Sequence, residues 1–404
     1  MEVTAIIDKP EIKTKLLVGN RLHGIDALRG FAMMLGILLH ATIAYKVIPL
    51  ANWPHDLSFN HWTFDLIYHY VHSFRMPLFF LIAGYFSRLL FIRMGEKSFI
   101  YHRSKKILIP LLFSVVFILP FTILPFLVSR ELTDHPGQWN IIFQNSFKGL
   151  IQWNGLAHLW FLYYLLIYYV VVVAWFRLGN IKFLMSFITR FSVLLNSIRP
   201  GSIKGIVFFS ALVWMVLSMS KDLYLHVDTG LFPNPEYLLF YALLFLAGWL
   251  VNKHPVDLQW ITNHFRLNIT VGSILCILLF LVEFSGHRFT GWQMFLLKMI
   301  VAFQIIILVY GVIGFFLRHL GEENKKWRYI SDASYFIYLM HLGLIAWLQL
   351  YFTQTYVPGI FRFMLVVIVP ILISLFLYEN FVRYTIIGEY LHGKREKNNN
   401  AKLK

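Results

Sequence analysis

Arg29 and His40 stand eleven residues apart inside IDALRGFAMMLGILLHATIAY, the first long apolar stretch of the chain. At 100° per residue, eleven steps end about 20° past three full turns, so on a helix both side chains leave one face, roughly 16 Å apart along the axis. Centring an arginine in a bilayer costs about 2.5 to 3.5 kcal/mol on insertion scales, so such residues face a wet cavity or the bundle interior and mark a site. A snorkelling arginine and a histidine bonded to a neighbouring helix would explain either residue alone. The pair on one face is better explained by a polar stripe. An imidazole can take a proton from a hydroxyl and return it, and a guanidinium suits a phosphate or carboxylate.

A second apolar stretch, HWTFDLIYHYVHSFRMPLFFLIAGY, spaces Asp65, His69, His72 and Arg75 at intervals of four, three and three. On a helix these form a slanted ridge, which the sequence expects Pro77 to interrupt beside Arg75. His69 and His72 could both reach one metal ion, but no third ligand is evident and Arg75 would repel a cation, so no metal is expected. An Asp–His–Arg chain that satisfies itself between helices remains the plainer alternative. Further on, Ser334, Tyr338 and His341 share a helical face. His158 and Trp160 enter another apolar stretch from one end, a place where a lone histidine serves more often as an interfacial anchor. Glu283 and Glu379, near stretch ends, receive no role. Arg29, His40, Arg75 and His341 are expected to share one wet cavity, since separate burial would repeat the insertion cost for each charge. His40 is the expected proton acceptor. Arg75, His72, His69, Tyr338, His341 and His158 are the candidates for holding a substrate.

The elements that must position these groups are membrane helices. The 404 residues are 58% hydrophobic and only 14% charged, with a mean hydropathy of +0.64, far from ordinary soluble domains. Apolar runs near 25–47, 62–87, 107–128, 156–176, 205–220, 237–251, 267–284, 292–317, 330–352 and 359–382 predict an all-α polytopic transmembrane bundle of about ten spans. The run at 237–251 is short enough for a re-entrant turn. Of the 36 Lys and Arg, 26 fall in the two tails and alternate connections, and five in the other connections, which predicts cytoplasmic N- and C-termini. Their spread over successive loops explains the net charge of +16 without a nucleic-acid partner. The division expected is a cytoplasmic tail over 1–24, a transmembrane domain over 25–383 and a basic cytoplasmic tail over 384–404. No cleaved signal peptide is expected, and the single cysteine, Cys276, allows no internal disulfide. Phe183, Leu184, Phe187, Ile188, Phe191, Leu194 and Leu195 predict an interfacial amphipathic helix. The connection RELTDHPGQWNIIFQNSFKG could line a cavity mouth, and the tail GKREKNNNAKLK is expected to be disordered.

These motifs resemble the bacterial acyltransferase family 3 membrane proteins, whose first span carries a basic residue, ten residues and then His, here Arg29 to His40. The likeness extends in order through FRMPLFFLIAGYFSR, FIYHRSKKILIP, HLWFLYYLL and SYFIYLMH, and within the family FRMPLFF looks most like the glucan biosynthesis protein C branch, associated with succinylation of periplasmic glucans. The resemblance implies an enzyme of the bacterial inner membrane. It would move an acetyl or succinyl group from cytoplasmic acyl-coenzyme A to a hydroxyl of an extracytoplasmic carbohydrate, with His40 essential and Arg29 supporting the donor. Arg88, Arg103 and Lys106 join Arg29 as candidates for the donor's phosphates, and acyl-CoA is expected as a substrate with no permanently bound cofactor. Direct transfer and an acyl-enzyme both remain open. The rival class is a transporter exporting a polar or acyl-bearing solute, which would use buried Arg and His equally well, though no repeated halves are visible.

Overall fold

The computed structural model describes residues 22–395 apart from 51–52, 180, 182–184, 187–189, 191, 194–196, 226, 288, 354 and 356. Those residues form thirteen α-helices: α1 His23–Thr42, α2 Trp62–Arg103, α3 Ile109–Asp134, α4 Trp139–Ile151, α5 Trp160–Leu178, α6 Ile203–Leu217, α7 Pro235–Lys253, α8 Pro255–Asn263, α9 Phe265–Phe284, α10 Trp292–His319, α11 Lys325–Phe352, α12 Gly359–Leu377 and α13 Ile386–His392. Among them the β content is one isolated antiparallel bridge, Gly155 to Gly230. The chain is an all-α, multi-pass membrane protein with eight segments long and apolar enough to cross a bilayer. One of the eight, Trp62–Asp134, contains both α2 and α3, and the apolar α6 has only 15 residues. The run at 237–251 belongs to a 19-residue apolar helix, α7, and not to a short re-entrant turn.

A straight helix of the 73 residues in Trp62–Asp134 would reach about 110 Å, over three times the ~30 Å hydrocarbon core. The chain leaves the helical path at Gly95, whose φ of 74° is one that glycine adopts without a Cβ penalty. The break expected at Pro77 is absent. Proline removes one backbone donor and crowds the carbonyl four residues back, but the flanking Phe74, Met76, Leu78, Phe79 and Phe80 are all buried, and packing holds the helix through it.

Helix α1 is packed against four others, α11, α2, α10 and α12. Its burial explains why polar side chains on it meet other helices and not lipid. α2 packs most extensively on α7, and the two cross at glycines: a Cβ on Gly84 would overlap the Phe245 carbonyl, and one on Gly248 the Leu81 carbonyl. Around this crossing Phe80, Trp160, Tyr164, Tyr168 and Tyr241 form an aromatic core.

The basic connections gather at one end. Lys105 Nζ donates to Glu389 Oε1 at 2.9 Å, Lys106 Nζ to the Glu389 carbonyl at 2.6 Å, and Arg395 pairs with Asp332 at 2.6 Å. The Lys105 contact holds the Glu389 carboxyl below its usual range. The first part of the basic tail, through α13 to Arg395, therefore docks on the bundle, while residues 396–404 and 1–21 lie outside the described residues, as do Phe183, Leu184, Phe187, Ile188, Phe191, Leu194 and Leu195 of the expected interfacial helix. The connection over 130–149 is mostly α4, which turns back on α3 with Asn145 Nδ2 donating to Glu131 Oε2 at 2.8 Å.

Candidate functional site

His40 lies in the last turn of α1, at the end away from the basic connections. The last carbonyls of a helix have no partner within it, and here Gln349 of α11 supplies one, its Nε2 donating to the His40 and Ala41 carbonyls at 3.2 and 3.1 Å. The same amide accepts from Trp53 Nε1 at 2.8 Å, and the Trp53 indole stacks on the His40 ring, centroids 5.8 Å apart and planes 8° from parallel. The His40 Nδ1 atom is buried with no protein partner.

Two more histidines meet this ring. His341 of α11 is 5.3 Å from His40 between centroids, and His158 is 5.6 Å from His341. His341 Nδ1 lies 2.8 Å from the Tyr338 carbonyl and 3.2 Å from that of Ile337. Carbonyls only accept, so Nδ1 carries the proton and Nε2, buried and unpartnered, presents a lone pair. His158 is the mirror case: Nε2 donates to the Leu339 carbonyl at 3.0 Å, and Nδ1 is buried without a protein partner. It is no interfacial anchor. The chain delivers it through Ala157, whose φ of 44° falls in the left-handed region that costs a Cβ-bearing residue strain, and strain of this kind gathers at functional sites. Leu156 N donating to Thr229 O at 2.8 Å holds this turn, and the Tyr338 hydroxyl donates to the His158 carbonyl at 2.5 Å.

Arg75 completes the group from α2. The residue is 8% exposed, and a guanidinium nitrogen lies so close to α1 that a Cβ on Gly36 would overlap it while standing 3.8 Å from His341 Nε2. Glycine at 36 is what lets the guanidinium reach the histidines. Tyr338, Tyr241 and Tyr68 are also within electrostatic range of Arg75; among the described residues no carboxylate pairs with it, and its Nε is buried and unpartnered. Three imidazoles, two with fixed lone pairs, thus surround a guanidinium with no counter-charge. That arrangement can take up a proton and can meet a negative charge developing on a substrate oxygen.

Of the four residues expected in one cavity His40, Arg75 and His341 come together and Arg29 does not, while His158 and Tyr338 join the group and His72 is within electrostatic range of His40. Tyr338 is committed to the His158 backbone, and the Ser334 hydroxyl is spent on its own helix, on Ser331 O at 2.7 Å. His69 is elsewhere: Nδ1 pairs with Glu283 at 3.0 Å, and its ring packs on Tyr224 and Phe280. Asp65 accepts from the backbone of Val47 and Ile48 at 2.7 and 3.2 Å. The ridge therefore divides between neighbours. Arg29, three turns before His40, is paired with Asp26 at 3.7 Å and leaves 41% of its side chain exposed. Arg88 donates to Asn252 Oδ1 at 3.0 Å and the Arg103 guanidinium lies 5.0 Å from the Tyr169 ring centre, so these two have neutral partners, while Lys106 donates to the Glu389 carbonyl within electrostatic range of that residue's carboxylate. Sequence reasoning missed Trp53, Gln349 and Gly36. An amide inside an apolar helix was the one available signal, at Gln349.

Residues 22–379 match the family described as Acyltransferase domain. The chain is 25% identical over 388 residues to the Glucans biosynthesis protein C of Salmonella paratyphi B, covering 93% of this chain and 95% of that protein. The same figures hold for proteins of that name from Salmonella enteritidis and Salmonella choleraesuis. No solved structure matches the chain.

Proposed function

The chain belongs to the acyltransferase domain family, and on that premise we propose that it carries an acetyl or succinyl group from cytoplasmic acyl-coenzyme A to a hydroxyl of an extracytoplasmic glucan or related glycan. It would do so in the bacterial inner membrane, with about ten crossings and both termini cytoplasmic. The observation that carries the reading is Arg75, buried without a carboxylate among three imidazoles at the end of α1 remote from the basic connections. The name of the relatives supports a glucan acceptor, and the 26-to-five division of basic residues supports the orientation.

In this reaction His40 takes the proton of the acceptor hydroxyl as its oxygen bonds to the thioester carbon. Arg75 meets the charge that develops on the carbonyl oxygen. The carbon–sulfur bond then breaks, and the departing thiolate receives the proton held by His40. The donor's phosphates are met at the basic end by Arg29, Arg88, Arg103 and Lys106, where charge-assisted contacts favour guanidinium forks. No permanently bound cofactor enters.

The test incubates purified protein with radiolabelled acetyl- or succinyl-coenzyme A, with and without glucan. Free coenzyme A together with labelled glucan is expected, and an exporter would yield neither. One equivalent of thiol released before glucan is added would mark an acyl-enzyme.

A further inference from the structure

The Trp53 indole does something for His40 that no other neighbour does. A base must hold its lone pair, which lies in the ring plane, along the direction of the incoming hydroxyl, and a hydrogen bond that fixed the ring through a nitrogen would use up a proton-transfer site. A stack fixes the plane from the face and leaves both nitrogens free. The geometry has that form: planes 8° apart, the indole anchored through Nε1 to Gln349, and Gln349 anchored in turn to the carbonyls of His40 and Ala41. Base, stack and tether make one closed unit. Phe126 meets the indole in a T at 4.8 Å, and Trp53 packs with Leu39, Ile43 and Val71, so apolar atoms cover the end of the site where α1 gives way to the following connection.

We infer that Trp53 is a positioning residue that fixes the plane of the His40 ring and keeps water from the acyl donor beside it. The second half of the inference rests on the acyl-transfer reading; the first does not. Without the indole, water takes the acceptor's place: its oxygen bonds to the thioester carbon, the carbon–sulfur bond breaks, the thiol leaves protonated and a free carboxylic acid forms. The unwanted reaction needs nothing except donor and solvent, so excluding water matters to any enzyme that holds a thioester while it waits for a second substrate.

Two readouts keep the inference open to refutation. In purified protein with acetyl- or succinyl-coenzyme A, Trp53→Ala should raise thiol release without glucan, relative to transfer with glucan, by about tenfold. The donor's apparent affinity should stay at the parent value. Trp53→Phe, which keeps a ring on the imidazole but loses the tether, should recover much of the coupling, and Gln349→Leu should fall between. Independently of activity, the rate at which diethyl pyrocarbonate modifies His40, read by peptide mass spectrometry against the exposed His264, should rise in Trp53→Ala and return most of the way in Trp53→Phe. A parent-like His40 modification rate in Trp53→Ala overturns the positioning and shielding. Faster modification in a protein whose parent form releases no thiol with any glucan would uphold the shielding and overturn the donor reading instead. A phenylalanine variant no better than alanine in both assays would rule out the stack as the agent.

Discussion

Six residues apart on α2, His69 and Arg75 sit in polar clusters of opposite character. Around His69 the charges answer one another: the imidazole faces Glu283 at 3.0 Å, and Lys46 lies 4.0 Å from Asp65 with its Nζ over the Tyr68 ring. Around Arg75 they do not. A guanidinium and three imidazoles share a space with no carboxylate among the described residues, and four of their nitrogens are buried without protein partners. Burying a charge is tolerable when a partner meets it and costly otherwise. His69 Nε2 is also buried without a protein partner, so the difference lies in the charges: a cluster whose charges are paired has every reason to be structural, while one whose charge is unmatched keeps it for a substrate. The two clusters should therefore respond to substitution in opposite ways, the first in stability and the second in transfer.

The largest effect is expected at His40. His40→Ala should retain fold and donor binding while transfer falls by a factor on the order of 10² to 10⁴, the usual contribution of a positioned acid–base group. Steady-state labelling of glucan, on protein matched to the parent by thermal melting, measures it. A stable variant that transfers at near the parent rate would remove the base from the mechanism, and the unmatched cluster would lose its functional meaning.

Arg75 sharpens the comparison because loss of activity and gain of stability are expected together. Arg75→Met should lower transfer by about 10²-fold, as loss of an oxyanion donor does. Removing a buried charge that lacks a counter-ion should leave the melting temperature unchanged or raise it. Arg75→Lys should restore transfer only in part, since an ammonium lacks the planar fork. A melting temperature that drops sharply in the methionine variant would show that Arg75 is a satisfied structural charge after all.

The division between the clusters was only half legible in the sequence. Helical spacing brings out His40, the ridge on α2 and the face carrying Tyr338 and His341, and the apolar runs mark the segments that α1, α2 and the other long helices occupy. What the spacing hides is accumulated rotation. Each step along the ridge drifts by no more than about 60°, yet the six residues from His69 to Arg75 add up to about a third of a turn, enough to aim them at different helices. Trp53 lies in a connection within a chain that is 18% aromatic, where one indole carries no signal. Its importance comes from Gln349, 296 positions away, and such a pairing exists only once α1 and α11 are packed. The Pro77 break failed for the opposite reason: local chemistry disfavoured the helix, and packing on both sides overrode it.

The smallest effect on transfer, and the one that tests the contrast itself, is expected at the His69–Glu283 pair. Removing one partner leaves the other facing apolar rings: His69 has Tyr224 and Phe280 against it, so Glu283→Gln keeps a neutral acceptor there, whereas Glu283→Ala strips the imidazole of its partner. Glu283 is 42% exposed, so water takes up part of the loss, and the expected destabilisation is about 1 to 2 kcal/mol, below that of breaking a fully buried pair. Transfer, corrected for folded fraction, should change by less than about threefold, since a group that only holds helices contributes nothing at the transition state. The double variant His69→Leu with Glu283→Ala should regain part of the lost stability, because no imidazole is then left without its carboxylate, and chemical denaturation of the two single variants and the double completes the cycle. If Glu283→Ala melts like the parent and yet loses transfer by 10²-fold or more, the satisfied cluster belongs to the chemistry, and mutual pairing ceases to distinguish scaffold from site in this bundle.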